Sequence, residues 1–332
     1  SPKDRPAGAR YANDEKWAEM SVTERNLRIA EAGGNFVDTA NIYTGGTSEK
    51  FVGEFVKGRR ERFVLATKYT MTTSPDDPNA GGSHRKNLVQ SLEASLKRLD
   101  TDYVDLLWVH AHDFMTPVEE TVRALDDVVR AGKVLYVGIS DAPAWIVSQA
   151  NTLASLKGWT PFAALQIQYG LADRTPERDL LPMAHALGLA VTPWGILGGG
   201  VLTGKYRSPK DRPAGARYAG DEKWAEMSVT ERNLRIAEAA GAVARDTGKS
   251  ASQVALAWVR QQPFGAIVPI VGARTAAQLA DNLGCLNLVL GPSHLAALEA
   301  ASMVDLGFPH DFLSRGRQFI FGKTFPLIDG RR

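Results

Sequence analysis

From Gly33 onward, short runs rich in Val, Ile and Leu alternate with longer segments whose apolar residues recur every three to four positions. The runs at 35–38, 63–68, 104–110, 134–140, 163–168, 189–194 and 266–271 predict seven strands, being short, β-branched and bounded by turn residues. Between them, 49–57 sets Phe51, Val52, Phe55 and Val56 at helical spacing, and 88–99 repeats Leu88, Leu92, Leu96 and Leu99. The segments 118–130, 143–156, 178–187, 251–261, 276–283 and 293–301 predict further helices, and 232–245 an additional one.

Strands that alternate with helices in this way belong to an α/β fold with a parallel sheet. Seven strands close poorly, whereas eight make a (β/α)8 TIM barrel. The eighth should precede the first helix. Residues 1–20 hold two prolines, a glycine and many charges, with no apolar run of four, so they do not read as a buried barrel strand.

Those residues belong to a repeat. Residues 1–32 recur at 208–239, the only difference being Asn13 against Gly220. A solenoid needs at least three stacked repeats, so this is a duplicated block. The inner copy suits its surroundings as a polar loop followed by a helix that begins near the capping pattern Ser228-Val229-Thr230-Glu231. The expectation is that the inner copy is native and the head stands in for a lost first strand. Residues 23–32 could still supply the first barrel helix through Leu27, Ile29 and Ala30. The chain thus divides into a duplicated segment, 1–32, and a barrel with a C-terminal extension, 33–332.

Composition narrows the setting. With 44% hydrophobic and 23% charged residues the chain can bury a core, and a net charge of +2 gives no reason to expect nucleic acid or a membrane surface as partner. Cys285 is the only cysteine, which excludes an internal disulfide and reads as a small core residue. No apolar run approaches a spanning helix and no signal-peptide pattern opens the sequence. A cytoplasmic enzyme is expected, with a homo-oligomer compatible with the sequence.

In a barrel the chemistry sits at the C-terminal strand ends. Asp38 ends NFVD, Lys68 ends FVLATK, His110 ends VDLLWVH, and Tyr43 follows in DTANIY. Together they bring a carboxylate, an ammonium, an imidazole and a phenol to one face. A phenol is a weak acid at neutral pH, and an adjacent ammonium stabilises its phenolate. Lys68 is expected to serve Tyr43 in this way, Asp38 to hold Lys68, and His110 to donate a hydrogen bond to a carbonyl oxygen. The pair His110 and His112 in HAHD raises a metal-dependent hydrolase as a rival, although no further ligand falls at an obvious strand end apart from Asp38.

The stretches DTANIY, FVLATK, LLWVHAHD, GKVLYVGIS, GGGVLTGKY and IVGARTAAQLADNL, in that order, resemble the aldo-keto reductases over about nine-tenths of the chain. The resemblance implies NADPH-dependent reduction of an aldehyde or ketone to an alcohol, and the reverse oxidation. It makes Tyr43 the general acid, tuned by Lys68 and Asp38, with His110 orienting the carbonyl. It also implies that NADPH lies across the barrel mouth. Ser140, Asp141 and Gln166 would hold the nicotinamide carboxamide, and Trp194 would stack on the ring. Gly198, Gly200, Leu202 and Lys205 would line the pyrophosphate, Gly272 and Arg274 the 2′-phosphate, and Gln278 and Asn282 the adenine. Asp141 departs from the family's usual Asn, and the head lacks the Gly-Thr segment that ends the family's first strand. A reductase-like regulatory protein that binds NADPH without turnover is the alternative. Trp108, Trp145, Trp159 and Trp258 read as packing residues, and Trp224 as a gate over the cofactor.

Overall fold

The computed structural model describes residues 34–273 and 275–328. The expected first helix at 23–32, the outer copy of the repeat and Arg274 therefore lie outside the described residues.

Among the described residues six strands, β1 (Phe36–Asp38), β2 (Val64–Tyr69), β3 (Val104–Val109), β4 (Val134–Ser140), β5 (Phe162–Gln168) and β6 (Ala190–Trp194), form one sheet in chain order. Every neighbouring pair is parallel. The crossovers carry α1 (Thr47–Val56), α2 (Arg85–Leu99), α3 (Val118–Arg130), α4 (Ala144–Lys157) and α5 (Leu180–Ala186). After β6 follow α6 (Glu222–Ser228), α7 (Glu231–Thr247), α8 (Ala251–Arg260), α9 (Ala276–Leu283), α10 (Pro292–Ser302) and α11 (His310–Phe321).

The sheet is rolled. Strands β1 and β5 would stand roughly 19 Å apart in a flat sheet at about 4.8 Å per step. Yet Gln166 Nε2 on β5 donates to Asp38 Oδ1 on β1 at 3.2 Å. The strands bury both faces, as a parallel barrel requires. Leu65, Leu107, Val137, Ile139, Leu165, Ile167 and Val191 belong to the large core under the helices. Ala66, Leu106, Trp108 and Ala164, with Phe36 and Ala190, make a separate cluster. Strand alternation puts this second set on the opposite, inner face, in phase with Asp38, Lys68 and Gln166.

The seventh expected strand is irregular. Residues 266–271 run beside β6 through Val191 N to Ala266 O, Val268 N to Val191 O and Ile270 N to Pro193 O, each 2.8 Å. They make a single parallel bridge, Val191 to Ile267. The bond that would extend this ladder, from the nitrogen of residue 193 to Val268 O, is absent because Pro193 on β6 has no N–H. Two further differences concern ends and surfaces. Ser228 closes α6, and Thr230 caps α7 by accepting from Asn233 N. Trp145, read as a packing residue, is 62% exposed on α4, whereas Trp258 and Cys285 are buried.

The inner copy of the repeat packs closely. Ala216, Tyr218, Ala225 and Val229 join Val201 and Tyr206 in one buried cluster, and Ile236 and Ala237 on α7 enter the main core. Arg232 ties α7 to Ala172 O at 2.7 Å and to Ser302 O at 2.7 Å. Among the described residues no helix is long and apolar enough to cross a membrane.

Candidate active site

Lys68 is the most constrained polar group near the strand ends, with none of its surface exposed. A buried ammonium is costly unless it is paired and hydrogen-bonded. Lys68 Nζ donates to Asp38 Oδ2 and, at 2.8 Å, to Thr39 O. The other carboxylate oxygen, Asp38 Oδ1, accepts from Trp108 Nε1 at 3.0 Å and from Gln166 Nε2 at 3.2 Å. Asp38 on β1 is thus fixed by donors from β2, β3 and β5.

Tyr43 lies above this pair. Lys68 Nζ is 5.0 Å from the centre of its ring, and His110 packs edge-on against it with ring centroids 5.8 Å apart and planes at 78°. Tyr43 is 37% exposed, the most open of the four. Burial, with Lys68 adding to it, pushes the His110 imidazole down to about 4. The ring is therefore neutral at ordinary pH, and its Nδ1 is buried with no hydrogen-bond partner. The backbone N–H of His110 is shared between Tyr69 O and Thr70 Oγ1, each at 3.1 Å. Thr70 holds a φ of 108° in doing so, a left-handed conformation that a β-branched residue rarely adopts.

The segment carrying Tyr43 is anchored on both sides. After Tyr43 the chain passes through Thr44, Gly45 and Gly46 at φ 49°, 63° and 84°, which turns it into α1. Thr39 Oγ1 and Ser48 Oγ lie 2.8 Å apart. Glu49, fully buried in the first turn of α1, accepts from Thr67 Oγ1 at 2.5 Å and from Arg98 Nε at 2.6 Å. Thr67 precedes Lys68 on β2, so one strand presents the ammonium on its inner face and grips the Tyr43 loop on its outer face. Gly46 is needed here, since a Cβ would stand 2.9 Å from the Arg98 side chain. Thr70, Glu49 and Arg98 escaped the sequence reading, and Trp108, read as a packing residue, also bonds Asp38, because a tryptophan within a strand and a glutamate within a helix carry no distinguishing pattern.

Of the expected cofactor residues, Ser140, Gln166 and Trp194 lie at the C-terminal ends of β4, β5 and β6. Ser140 is paired with Gln166, and Gln168 with Trp194, in the strand register. Burial raises the Asp141 carboxyl above its ordinary range, an effect that Trp194, Ser140 and Lys68 reduce. Its φ of 45° is left-handed, a conformation Asn and Asp tolerate better than most residues. Gln166 is spent on Asp38 rather than free.

After β6 come Gly198, Gly199 and Gly200 with φ of 55°, 65° and 95°. A Cβ on Gly199 would stand 1.9 Å from the Tyr218 hydroxyl, and one on Gly200 would stand 2.7 Å from Lys205 Nζ. The inner repeat therefore lies against the glycine turn through Tyr218, and the Lys205 ammonium sits beside bare backbone. Such a combination suits a pyrophosphate. Leu202, by contrast, has its side chain fully buried in the main core. Gly272 is exposed just ahead of α9, whose N-cap Thr275 accepts from Gln278 N at 3.1 Å. Gln278 is exposed, whereas Asn282, one turn further, is buried. Trp224 is 56% exposed on α6.

In the HAHD segment the carboxylate fastens the loop that follows. Asp113 accepts from Ser83 N at 2.6 Å, Met115 N at 3.0 Å, Thr116 N at 2.9 Å and Thr116 Oγ1 at 2.7 Å. Although burial works to raise its carboxyl, these bonds outweigh it and hold the group well below the usual carboxylate range. His112 packs edge-on against Phe114, ring centroids 4.6 Å apart. Among the described residues no three or more His, Cys, Asp or Glu side chains are grouped to hold a metal ion.

Residues 8–302 match the family model described as the Aldo/keto reductase family. The chain is 41% identical over 300 residues to a norsolorinic acid reductase of Emericella nidulans, covering 88% of this chain and 74% of that one. It is 40% identical to a norsolorinic acid reductase of Aspergillus flavus, covering 85% of this chain and 72% of that one. It is 39% identical to an aryl-alcohol dehydrogenase of Pestalotiopsis microspora, covering 86% of this chain and 73% of that one.

Proposed function

The chain belongs to the aldo/keto reductase family of (β/α)8 barrels, an oxidoreductase acting on carbonyl and alcohol groups with a nicotinamide cofactor, and on that premise we propose how it works. The cofactor is NADPH, and Tyr43, Lys68, Asp38 and His110 carry the reaction. The observation that supports this most is the convergence of those four side chains, with Lys68 Nζ 5.0 Å from the Tyr43 ring and His110 against its edge.

When bound, the nicotinamide supplies the hydride. All else falls to this chain's residues. The Tyr43 hydroxyl gives its proton to the carbonyl oxygen, and the Lys68 ammonium stabilises the phenolate left behind. Asp38 keeps Lys68 beneath the ring. His110, neutral and with its Nδ1 buried, offers an N–H from Nε2 to the same oxygen and so orients the carbonyl. Because Tyr43 is partly exposed, water can return its proton after each turnover. In alcohol oxidation the same proton travels the other way.

The glycine turn and Lys205 hold the pyrophosphate, Trp194 faces the nicotinamide, and Ser140 and Asp141 hold its carboxamide together with Gln166. Gly198, Gly200 and Leu202 contribute backbone. Gly272, Arg274, Gln278 and Asn282 serve the 2′-phosphate and adenine end. The substrate is an aromatic aldehyde or ketone, in keeping with relatives named for norsolorinic acid and aryl alcohols and with the exposed Phe114 and Met115 after β3. Residues 33–332 act as one barrel unit with a C-terminal extension, and 1–32 stand as a duplicate of the working copy at 208–239.

Steady-state kinetics with an aromatic aldehyde test the cofactor assignment. NADPH should be preferred over NADH, and Arg274→Ala should raise the KM for NADPH much more than that for NADH. An equal loss for both would move recognition of the 2′-phosphate elsewhere.

A further inference from the structure

We propose that the indole N–H of Trp108 is a positioning group for the Asp38–Lys68 pair, holding the carboxylate where it keeps Lys68 beneath Tyr43. The inference rests on the tetrad reading given above and adds a residue to it.

Trp108 is fully buried on β3, directly beside Lys68 in the strand register. Its ring fills the inner face among Ala66, Leu106 and Ala164, none of which offers a side-chain acceptor. An apolar side chain would serve packing there without a polar atom to satisfy. The N–H instead donates to Asp38 Oδ1 at 3.0 Å. The surroundings are shaped to admit the indole. Its partner in the register is Gly138, where a Cβ would stand 2.4 Å from the ring.

The role of Trp108 is separable from that of Gln166. Both donate to Asp38 Oδ1. If Gln166 turns toward the carboxamide of a bound nicotinamide, Trp108 remains as the fixed donor on that oxygen. A hydrogen bond to a charged acceptor is worth more than one to a neutral group. Its loss lets Asp38 rotate and Lys68 follow.

The test uses the full chain and a double-mutant cycle. Trp108→Phe keeps an aromatic ring and removes the donor. It should lower kcat about tenfold while leaving KM and the Kd for NADPH within about twofold, since substrate and cofactor do not touch the indole. Added to Asp38→Asn, it should cost little more than Asp38→Asn alone, because both break one unit. An unchanged kcat, or fully additive losses, would overturn the proposal. If Trp108→Phe does not fold, the indole N–H resonances of ¹⁵N-tryptophan-labelled wild type and Asp38→Asn decide instead. One exchange-protected signal should shift, and no shift in any protected indole would refute the contact. Tyr43→Phe run in parallel separates the two readings: retained turnover there sinks the tetrad itself, whereas its loss beside an unaffected Trp108→Phe sinks only the positioning role.

Discussion

His110 offers a quantitative check on the electrostatics of the site. Its imidazole falls from an ordinary 6.5 to about 4 in the folded chain, through burial first and the Lys68 charge second. Between those two values the unfolded chain binds a proton that the folded chain does not, so the native state loses stability as pH falls through that window. At about 1.4 kcal/mol per pH unit per proton, the loss reaches about 2.5 kcal/mol at pH 4.5 relative to pH 8. His110→Gln removes the titrating group. Urea unfolding of the cofactor-free wild type and variant at both pH values isolates the term, since carboxylates away from His110 contribute alike to both proteins. The fall in unfolding free energy on acidification should be smaller in the variant by that amount. Equal falls in the two proteins would mean that His110 titrates normally, and the account of a neutral, hydrogen-bond-donating imidazole would fail.

Two further outcomes follow from the packing. Arg98→Met strands the fully buried Glu49 carboxylate and should cost about 3–5 kcal/mol in urea unfolding, with kcat lowered through the loosened Tyr43 loop; Arg98→Lys should recover part of both. A loss below about 1 kcal/mol would show that this pair does not anchor the loop. Gly199→Ala forces a left-handed alanine, at about 1–2 kcal/mol, against the Tyr218 hydroxyl. The cofactor Kd measured by fluorescence titration should rise at least tenfold, and an unchanged Kd would separate the glycine turn from the pyrophosphate.

The order of the fold was legible because each buried parallel strand announces itself as an apolar run and each covering helix as a stripe. The strand β3 and helices α2, α3 and α8 were placed within a few residues on that basis. The seventh segment was legible as an apolar run but its irregularity was not, since the missing N–H belongs to Pro193 on the neighbouring strand. That Asp38, Lys68, Tyr43 and His110 lie together was legible because strand ends in this architecture share one mouth. What escaped were groups acting between elements far apart in the sequence: the Trp108 bond to Asp38 spans 70 positions and the Arg98 bond to Glu49 spans 49. No local pattern marks such pairs. Asn282 looked like a twin of Gln278 by helical spacing, yet only Gln278 is exposed, because α9 turns its Asn282 side toward the body.

The account stands most directly on the proton donor. Single-turnover oxidation of bound NADPH by an aromatic aldehyde should be fast in the wild type and slowed at least a hundredfold in Tyr43→Phe, with NADPH affinity unchanged. Comparable rates in the two proteins, at equal cofactor occupancy, would contradict the assignment of Tyr43 as the acid and with it the reading of the whole site.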